Sequence, residues 1–185
     1  MKKTFFTVCV FSAIVLAGYG CKKDSTTSTT TGTTATTSTT STTSTTSTTS
    51  SGTMSATING TAWSSASVVN TLLLVNGQGK RLDLRGTSSA GKQIIVTMSD
   101  DDFVSETMPV KTYTFDNDDA LFTYLENGSG QHIPIEGTVT ISAFNPTAKT
   151  FTGTFNFKSF KVGSPDTLKV TNGVFTDMTF VVGRQ

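Results

Sequence analysis

The residues of this chain that could do metal or acid–base chemistry are few. His132 is the only histidine, whereas a catalytic triad or a histidine-based metal cage needs further partners around it. Asp116, Asp118 and Asp119 form an oxygen-rich run that could bind calcium, but the run lacks the central glycine and final glutamate of the twelve-residue calcium loop. We therefore predict a solvated loop histidine and solvated acidic loops. The three aspartates are candidate metal ligands by composition alone.

Patterns for covalent, nucleotide or glycosidic chemistry are incomplete. "GTSSAG" has Ala90 where a nucleophile elbow needs glycine, and "NGQGKRL" has Leu82 where a dinucleotide-binding loop needs one. Glycoside hydrolysis needs two carboxyl groups at a set separation, and Glu106, Glu126 and Glu136 show no context that pairs them. The sequence thus predicts no catalytic residue, no cofactor and no enzymatic activity. An envelope hydrolase acting through scattered acidic residues is the less favoured alternative.

The first twenty residues have the layout of a secretory signal peptide. Lys2 and Lys3 precede an apolar stretch over 5–17, and mostly small residues follow it. The stretch is shorter than the ~20 residues of a membrane-spanning helix. Cys9 would leave with residues 1–20, so Cys21 would be the only cysteine of the mature chain. No intrachain disulfide could then form.

Removal of this segment also changes the charge. The full chain has 14 basic and 13 acidic residues, and loss of Lys2 and Lys3 leaves 12 against 13, a formal net charge of −1. Nucleic-acid binding usually needs a basic stripe, and none is visible. Nucleic acid is therefore not an expected partner.

A tract of serine and threonine separates the signal from the rest of the chain. Residues 25–53 are all Ser or Thr except Gly32, Ala35 and Gly52, and residues 36–50 are repeated Thr-Thr-Ser triplets. Such a tract has no large apolar side chains to offset the entropy of ordering. We therefore predict that residues 21–53 are a disordered stalk, with Cys21 at its start. As a free coil the tract would span roughly 30 Å.

Residues 54–185 show alternation with period two and frequent turn signals, which are typical of an all-β domain. Asn59 and Gly60 in "ATINGTAW" predict a hairpin turn, as do Asn76 and Gly77. No segment has a convincing helical period. We expect an antiparallel meander of about eight to ten strands that forms a β-sandwich or a flattened barrel.

The alternation also predicts which side chains face the core. The residues assigned to inward faces are Leu82, Leu84, Ile94, Val96, Met98, Ile135, Gly137, Val139, Ile141, Phe151, Gly153, Phe155, Phe157, Val174, Met178, Phe180 and Val182. Gly137 and Gly153 would let neighbouring rings lie across the sheet. Because most of the others are bulky, we expect a filled core without a ligand-sized cavity.

Two parts of the chain resemble known lipoproteins. "GYGCKKD" resembles the lipobox of a bacterial lipoprotein, in which the cysteine, here Cys21, is acylated and becomes the mature N-terminus. Many Bacteroidetes lipoproteins begin Cys-Lys-Lys-Asp, and the charged residues after the cysteine resemble a surface-export signal. Asp24-Ser25-Thr26 resembles the O-glycosylation pattern of that group, which would place a glycan on Ser25.

The domain also resembles a Bacteroidetes lipoprotein family of unknown function. The matching pieces are "ATINGTAW", "IEGTVTIS", "FTGTFNF" and "VTNGVFTDMTF". The resemblance implies attachment to the outer membrane through acylated Cys21, with possible display at the cell surface, and it brings no site residues.

We therefore expect a lipid-anchored, non-enzymatic binding or structural module, whose partner would be an envelope protein or a glycan. A lipocalin-like carrier of a small apolar ligand is the alternative, and the volume of the interior would separate the two.

Overall fold

The structure is a computed structural model, and it describes residues 50–127, 131–161 and 163–185. These residues form eleven strands and one short 3-10 helix. The elements are β1 (Thr53–Ile58), β2 (Thr61–Ser64), β3 (Ser67–Val75), β4 (Gly79–Thr87), β5 (Gln93–Asp100), β6 (Thr112–Thr114), the helix (Phe115–Asn117), β7 (Ala120–Leu125), β8 (Gln131–Asn145), β9 (Thr150–Lys161), β10 (Thr167–Thr179) and β11 (Val181–Arg184). The predicted all-β class is confirmed, with eleven strands.

All strands belong to one mixed sheet that is not closed into a barrel. Its order is β11-β3-β4-β5-β7-β8-β9-β10-β1-β2, and β6 pairs with β8 beside β7. Neighbouring strands are antiparallel, as the meander predicted, except that β11 runs parallel to β3. Only Phe180 separates β10 from β11. One residue is too short a link for a hairpin, so the chain keeps its direction and reaches β3 in parallel.

The sheet curls around one core. Gly86 on β4 lies against the Met54 sulfur and the Trp63 ring, which belong to β1 and β2 at the other end of the strand order. The Phe122 and Phe157 rings stack with their centroids 5.2 Å apart. The inward side chains of most strands join this single buried cluster, as predicted.

Gly137 and Gly153 have the predicted role. A side chain on Gly137 would meet the Phe122 ring at 2.6 Å, and one on Gly153 would collide with the Phe175 ring. Both glycines therefore let aromatic rings lie flat on the sheet, which fills the interior with side chains.

Two residues predicted to face inward do not. Ile135 and Val174 are 45% and 40% exposed. The pairing register shifts next to Ile135, between Pro134 and Glu136, and a β-bulge of this kind reverses the alternation.

A second shift, between Phe175 and Met178, explains the error at Val174. Strict alternation put Val174 on the same face as Met178. Because two residues of the bulge point outward, Phe175 takes the buried position instead.

Candidate functional site

The acidic loop after β5 closes one end of the curled sheet. Lys80 faces inward on β4, and its side chain is only 1% exposed. Its ammonium nitrogen lies 3.4 Å from an Asp100 carboxylate oxygen and 3.0 Å from an Asp102 oxygen, and it donates to the Ser105 hydroxyl at 3.1 Å. A buried ammonium is costly unless it is paired and hydrogen-bonded. This acidic loop, predicted to be only solvated, therefore also neutralises the buried charge of Lys80.

The same loop also stabilises the ionised form of one of its own side chains, the Asp102 carboxylate. Hydrogen bonds from the Ser105 hydroxyl and the Val104 backbone N–H, together with Lys80, lower the pKa of Asp102 well below 3.8. Met108 and Tyr113 are fully buried behind the loop, and the Tyr113 hydroxyl donates to the Pro109 carbonyl at 2.8 Å. We call this end, defined by Lys80 and residues 100–113, the closed end.

The other acidic run stabilises a turn. Asp119 accepts the Thr114 backbone N–H at 2.5 Å and lies 3.4 Å from the Lys111 ammonium. Asp116 and Asp118 are exposed. Within the described residues, no three acidic, histidine or cysteine side chains are grouped as metal ligands.

The three glutamates considered for catalysis lie in separate ion pairs. The pairs are Glu106 with Arg184, Glu126 with Lys161 at 3.4 Å, and Glu136 with Lys158. The structure therefore does not bring any two of the three together as an acid–base pair.

The opposite end of the β4–β5 hairpin is open. Two adjoining cavities of about 450 and 410 Å³ lie there, and they share Asn59, Glu126 and Leu168. The walls are formed by strand β2, by the turns after β1, β4 and β9, and by the adjoining ends of β7, β8 and β10. We call the two cavities together the groove. Ser88, Ser89 and Ala90 of "GTSSAG" line one wall. The segment forms a turn between β4 and β5, in which the Gly91 N–H donates to the Ser88 carbonyl at 2.9 Å.

Trp63 forms part of the groove wall. It is 7% exposed, its ring packs against Gly86, and it lines the larger cavity. The indole Nε1 is a donor only, and it has no hydrogen-bond acceptor among the described residues. The nitrogen itself is buried, so a ligand in the cavity would reach it only after a movement of the Trp63 side chain.

His132 lines the smaller cavity. It lies on β8 between Tyr124 of β7 and Lys161 of β9 and is 6% exposed, so the predicted solvated loop position was wrong. The Tyr124 ring meets the imidazole edge-on at 5.2 Å. Neither ring nitrogen has a partner in the described part of the chain. Burial lowers the pKa of His132 below 6.5, Lys161 lowers it further, and Glu126 opposes the shift.

Ser159 adds a third unmet polar group. It is fully buried on β9 and pairs with Pro134 on one side and Leu168 on the other. Its hydroxyl has no partner among the residues described. Because Ser159 is diagonal to His132 across the β8–β9 pair, the two side chains are neighbours on the inner face.

These groups are concentrated at one end of the sheet. Buried side-chain nitrogens or oxygens without a partner occur on four described residues, Trp63, Asn70, His132 and Ser159, and three of the four are at this end. The sequence did hold a signal, since the only tryptophan lines one cavity of the groove and the only histidine lines the other. Their placement at one end of the sheet depends on strand pairing, which composition does not reveal.

Several predictions concern residues outside the described ranges. These are the signal peptide at 1–20, acylation of Cys21, glycosylation of Ser25 and most of the 21–53 stalk. The last residues of that tract are described and contact the domain. The Ser50 hydroxyl accepts the Asn70 N–H at 3.1 Å, and the Ser51 N–H donates to the Thr179 hydroxyl at 2.6 Å.

Comparison with known proteins identifies a family and no activity. The sequence model of the family described as Domain of unknown function (DUF6252) matches residues 50–179. No curated protein and no solved structure matches the chain. None of the described residues belongs to a helix with the length and hydropathy needed to cross a membrane.

Proposed function

The chain belongs to this DUF6252 family of domains of unknown function, and we propose that it is a lipid-anchored cell-envelope protein whose all-β domain binds a partner without catalysing a reaction. The observation that carries the binding role is the groove. Trp63 lines its larger cavity and His132 its smaller one. A concave site that combines aromatic and polar side chains favours the binding of a ligand.

The filled interior favours a binding module over the alternative of an apolar carrier. Leu82, Val96 and Phe122 are fully buried in the middle of the sheet. Stacked rings such as Phe155 and Phe157 occupy the space that an internal ligand would need. The ligand of this module would therefore sit at the end of the sheet, in the groove.

The anchoring part of the proposal rests on the sequence. Cys21 follows a signal-like segment, and "GYGCKKD" resembles a lipobox, which supports attachment to the outer membrane and display at the cell surface. Strand β1 begins at Thr53, just after the Ser/Thr tract, and ends next to Asn59 of the groove. The groove is thus at the end of β1 opposite the residue through which the tract joins the domain, an arrangement that keeps it accessible.

Replacement of Cys21 tests the anchor. One acyl chain binds a membrane only marginally, whereas two or more anchor stably. We expect Cys21→Ala to move the protein from the membrane fraction to the soluble fraction. Cys9→Ala is the matched control, because Cys9 would be removed with the signal and its replacement should leave fractionation unchanged. Retention of Cys21→Ala with the membranes would contradict the anchor.

A further inference from the structure

We propose that the groove binds an extended segment of polypeptide, which adds to the free edge of β2 as a further strand. The inference rests on the proposed binding function and names the partner class of the same site. In the described part of the chain, β2 is the last strand at one end of the sheet and pairs only with β1. Strand addition needs such an edge, with backbone N–H and C=O groups that a second chain can reach.

The backbone of β2 directs the hydrogen-bonding groups of two residues away from β1. The Ser65 N–H, just after the strand, donates to the Met54 carbonyl of β1 at 2.9 Å. Residues along a strand alternate between the two sides in their backbone hydrogen bonding. Trp63 therefore faces β1 as Ser65 does, whereas Ala62 and Ser64 present their N–H and C=O groups to the free edge. Both residues are exposed, and neither N–H has a backbone acceptor among the residues described.

This free edge opens into the groove. The Ala66 N–H donates to the Thr87 carbonyl at 2.7 Å, so the two ends of the curled sheet touch at that point. Beyond it β2 and β4 are not paired within the described chain. Ala62 and Ser64 line the larger cavity together with the turn over 88–92 that follows β4. The gap therefore suits a single strand, whereas the turn hinders the sheet edge of a second copy from reaching β2.

The walls of the larger cavity suit a strand with apolar and acidic side chains. Trp63 and Leu168 are buried there, and an added strand turns alternate side chains towards such a surface. Two charged residues line this cavity. Glu126 is paired with Lys161 at 3.4 Å, whereas Lys92 has no ion-pair partner within the described ranges. An acidic side chain of the partner would complement Lys92.

The sequence of β2 leaves its edge open to pairing. Strand β2, "TAWS", has no charged residue, no proline and no register shift against β1, which are three features that discourage pairing at an edge. The strand at the other end of the sheet, β11, differs. It carries Arg184, which pairs with Glu106 of the loop after β5. Of the two terminal strands, β2 is therefore the one suited to accept a partner strand.

Amide exchange and fluorescence both report on this edge. In the full-length protein in detergent, the amides of Ala62 and Ser64 should exchange faster than that of Trp63, which faces β1. The protein is then titrated with the blocked peptide Thr-Val-Glu-Val-Thr-Val. Trp63 is the only tryptophan, so its fluorescence follows the titration without labelling. Chitopentaose is titrated separately as the probe for a glycan.

We expect the peptide to give a saturable fluorescence change and to slow the exchange of both edge amides. Ala62→Pro removes one N–H from the free edge, where proline is tolerated, and should weaken peptide binding about tenfold. Ala62→Thr keeps the N–H and is the matched control, with unchanged binding expected. Lys92→Glu should weaken binding severalfold and favour a peptide with lysine in place of the glutamate.

Modified peptides test the same contact without changing the protein. A strand that adds to β2 uses the N–H groups of alternate residues on one of its edges. N-methylation of the three valines, or of the other three residues, should therefore abolish binding in one case and leave it in the other. Loss of binding in neither case would contradict strand addition.

The remaining outcomes also overturn the proposal. Slow exchange of Ala62 and Ser64 in the free protein would mean that the edge is already covered, and sedimentation would show whether a second copy covers it. Peptide binding that Ala62→Pro leaves unchanged would place the peptide elsewhere. A response to chitopentaose alone would leave the binding function and exclude the peptide, whereas no response to either probe would remove both. Fractionation of Cys21→Ala tests the anchor separately.

Discussion

At one end of the β4–β5 hairpin a buried polar group has hydrogen-bonding partners, and at the other end buried polar groups lack them. At the closed end, the Lys80 ammonium is buried and contacts Asp100, Asp102 and Ser105. At the groove end, His132 is about as buried, yet neither of its ring nitrogens has a partner among the described residues. The end of β5 and the loop after it supply the partners of Lys80, whereas no described residue supplies one for His132.

This difference separates a structural role from a binding role. A buried charge that its own chain satisfies contributes to a fixed end of the fold, and no group is left over for another molecule. A buried polar group without a partner costs stability and is usually explained by a ligand, a water or a catalytic task. The closed end is therefore the structural end, and the groove end is the one to test for binding.

The largest expected effect comes from the core that both ends share. Phe155 is 2% exposed and stacks with Phe157 and Phe175. Phe155→Ala should lower the free energy of unfolding by roughly 3–5 kcal/mol, as for a packed core aromatic, and urea unfolding measures it. A loss below 1 kcal/mol, together with tight uptake of a hydrophobic dye by the wild type, would instead favour the hollow carrier.

A smaller loss is expected when the closed end is opened. The Asp100 side chain is 16% exposed and lies beside the buried ammonium of Lys80. Asp100→Ala should lower the free energy of unfolding by about 2 kcal/mol, because a charged hydrogen-bonding group loses a partner. The control is Glu136→Ala, which removes an exposed ion pair with Lys158 and should cost less than about 0.5 kcal/mol. Equal losses in the two variants would show that the closed end is not the structural end.

The pH dependence should distinguish the two ends. The pKa of His132 is lower in the folded chain than its ordinary 6.5, so the unfolded chain binds more protons as the pH falls through 6.5. The free energy of unfolding should therefore decrease below that pH, by at most about 1.4 kcal/mol per pH unit for one proton. The lowered pKa of Asp102 has its effect only as the pH falls below 3.8, where stability that is present above that pH is lost.

Chemical unfolding at a series of pH values measures this dependence. His132→Gln should remove the loss of stability just below pH 6.5, and Asp102→Asn should remove the loss in the more acidic range. An unchanged slope below pH 6.5 in His132→Gln would show that the imidazole is not desolvated in the folded chain.

The smallest effect is expected from shortening the Ser/Thr tract. Deletion of residues 25–49 should leave the melting temperature of the domain nearly unchanged, because that segment has no large apolar side chains to pack. Deletion of 25–53 should cost roughly 1–2 kcal/mol, since it also removes the hydrogen bonds of Ser50 and Ser51 to Asn70 and Thr179. A large loss in the shorter deletion would mean that the tract packs on the sheet.

Local patterns predicted much of the fold. The turn at Asn59 and Gly60 has the positive φ angles of 48° and 82° that such hairpins require. The alternation on β4 and β5 gave the correct inward faces. Ile135 and Val174 were misassigned because a β-bulge is a property of two paired strands, and one strand's sequence does not show where the pairing register shifts.

The groove could not be predicted in the same way. Pro134 lies two residues after His132, and a proline at this position predicts the end of a strand. In the structure β8 continues through Pro134, because its register against β9 shifts there. The strand therefore begins at Gln131, and His132 turns into the interior. The role of the acidic loop was equally hidden, because Lys80 and Asp102 come together only when the loop folds back over the end of β4.

The sequence by itself determined the all-β class, most of the inward faces and the role of Gly137 and Gly153, because period-two alternation, turn residues and side-chain volume act over a few neighbouring residues. Tertiary structure alone decided that Lys80 is buried beside two carboxylates and that Trp63 and His132 line the two cavities of one groove. Lys80 meets Asp100 directly across the β4–β5 pair, and Asp102 reaches it from the loop after β5. Trp63 on β2 and His132 on β8 are far apart in sequence, and their placement depends on the curl of the sheet, which no single segment encodes.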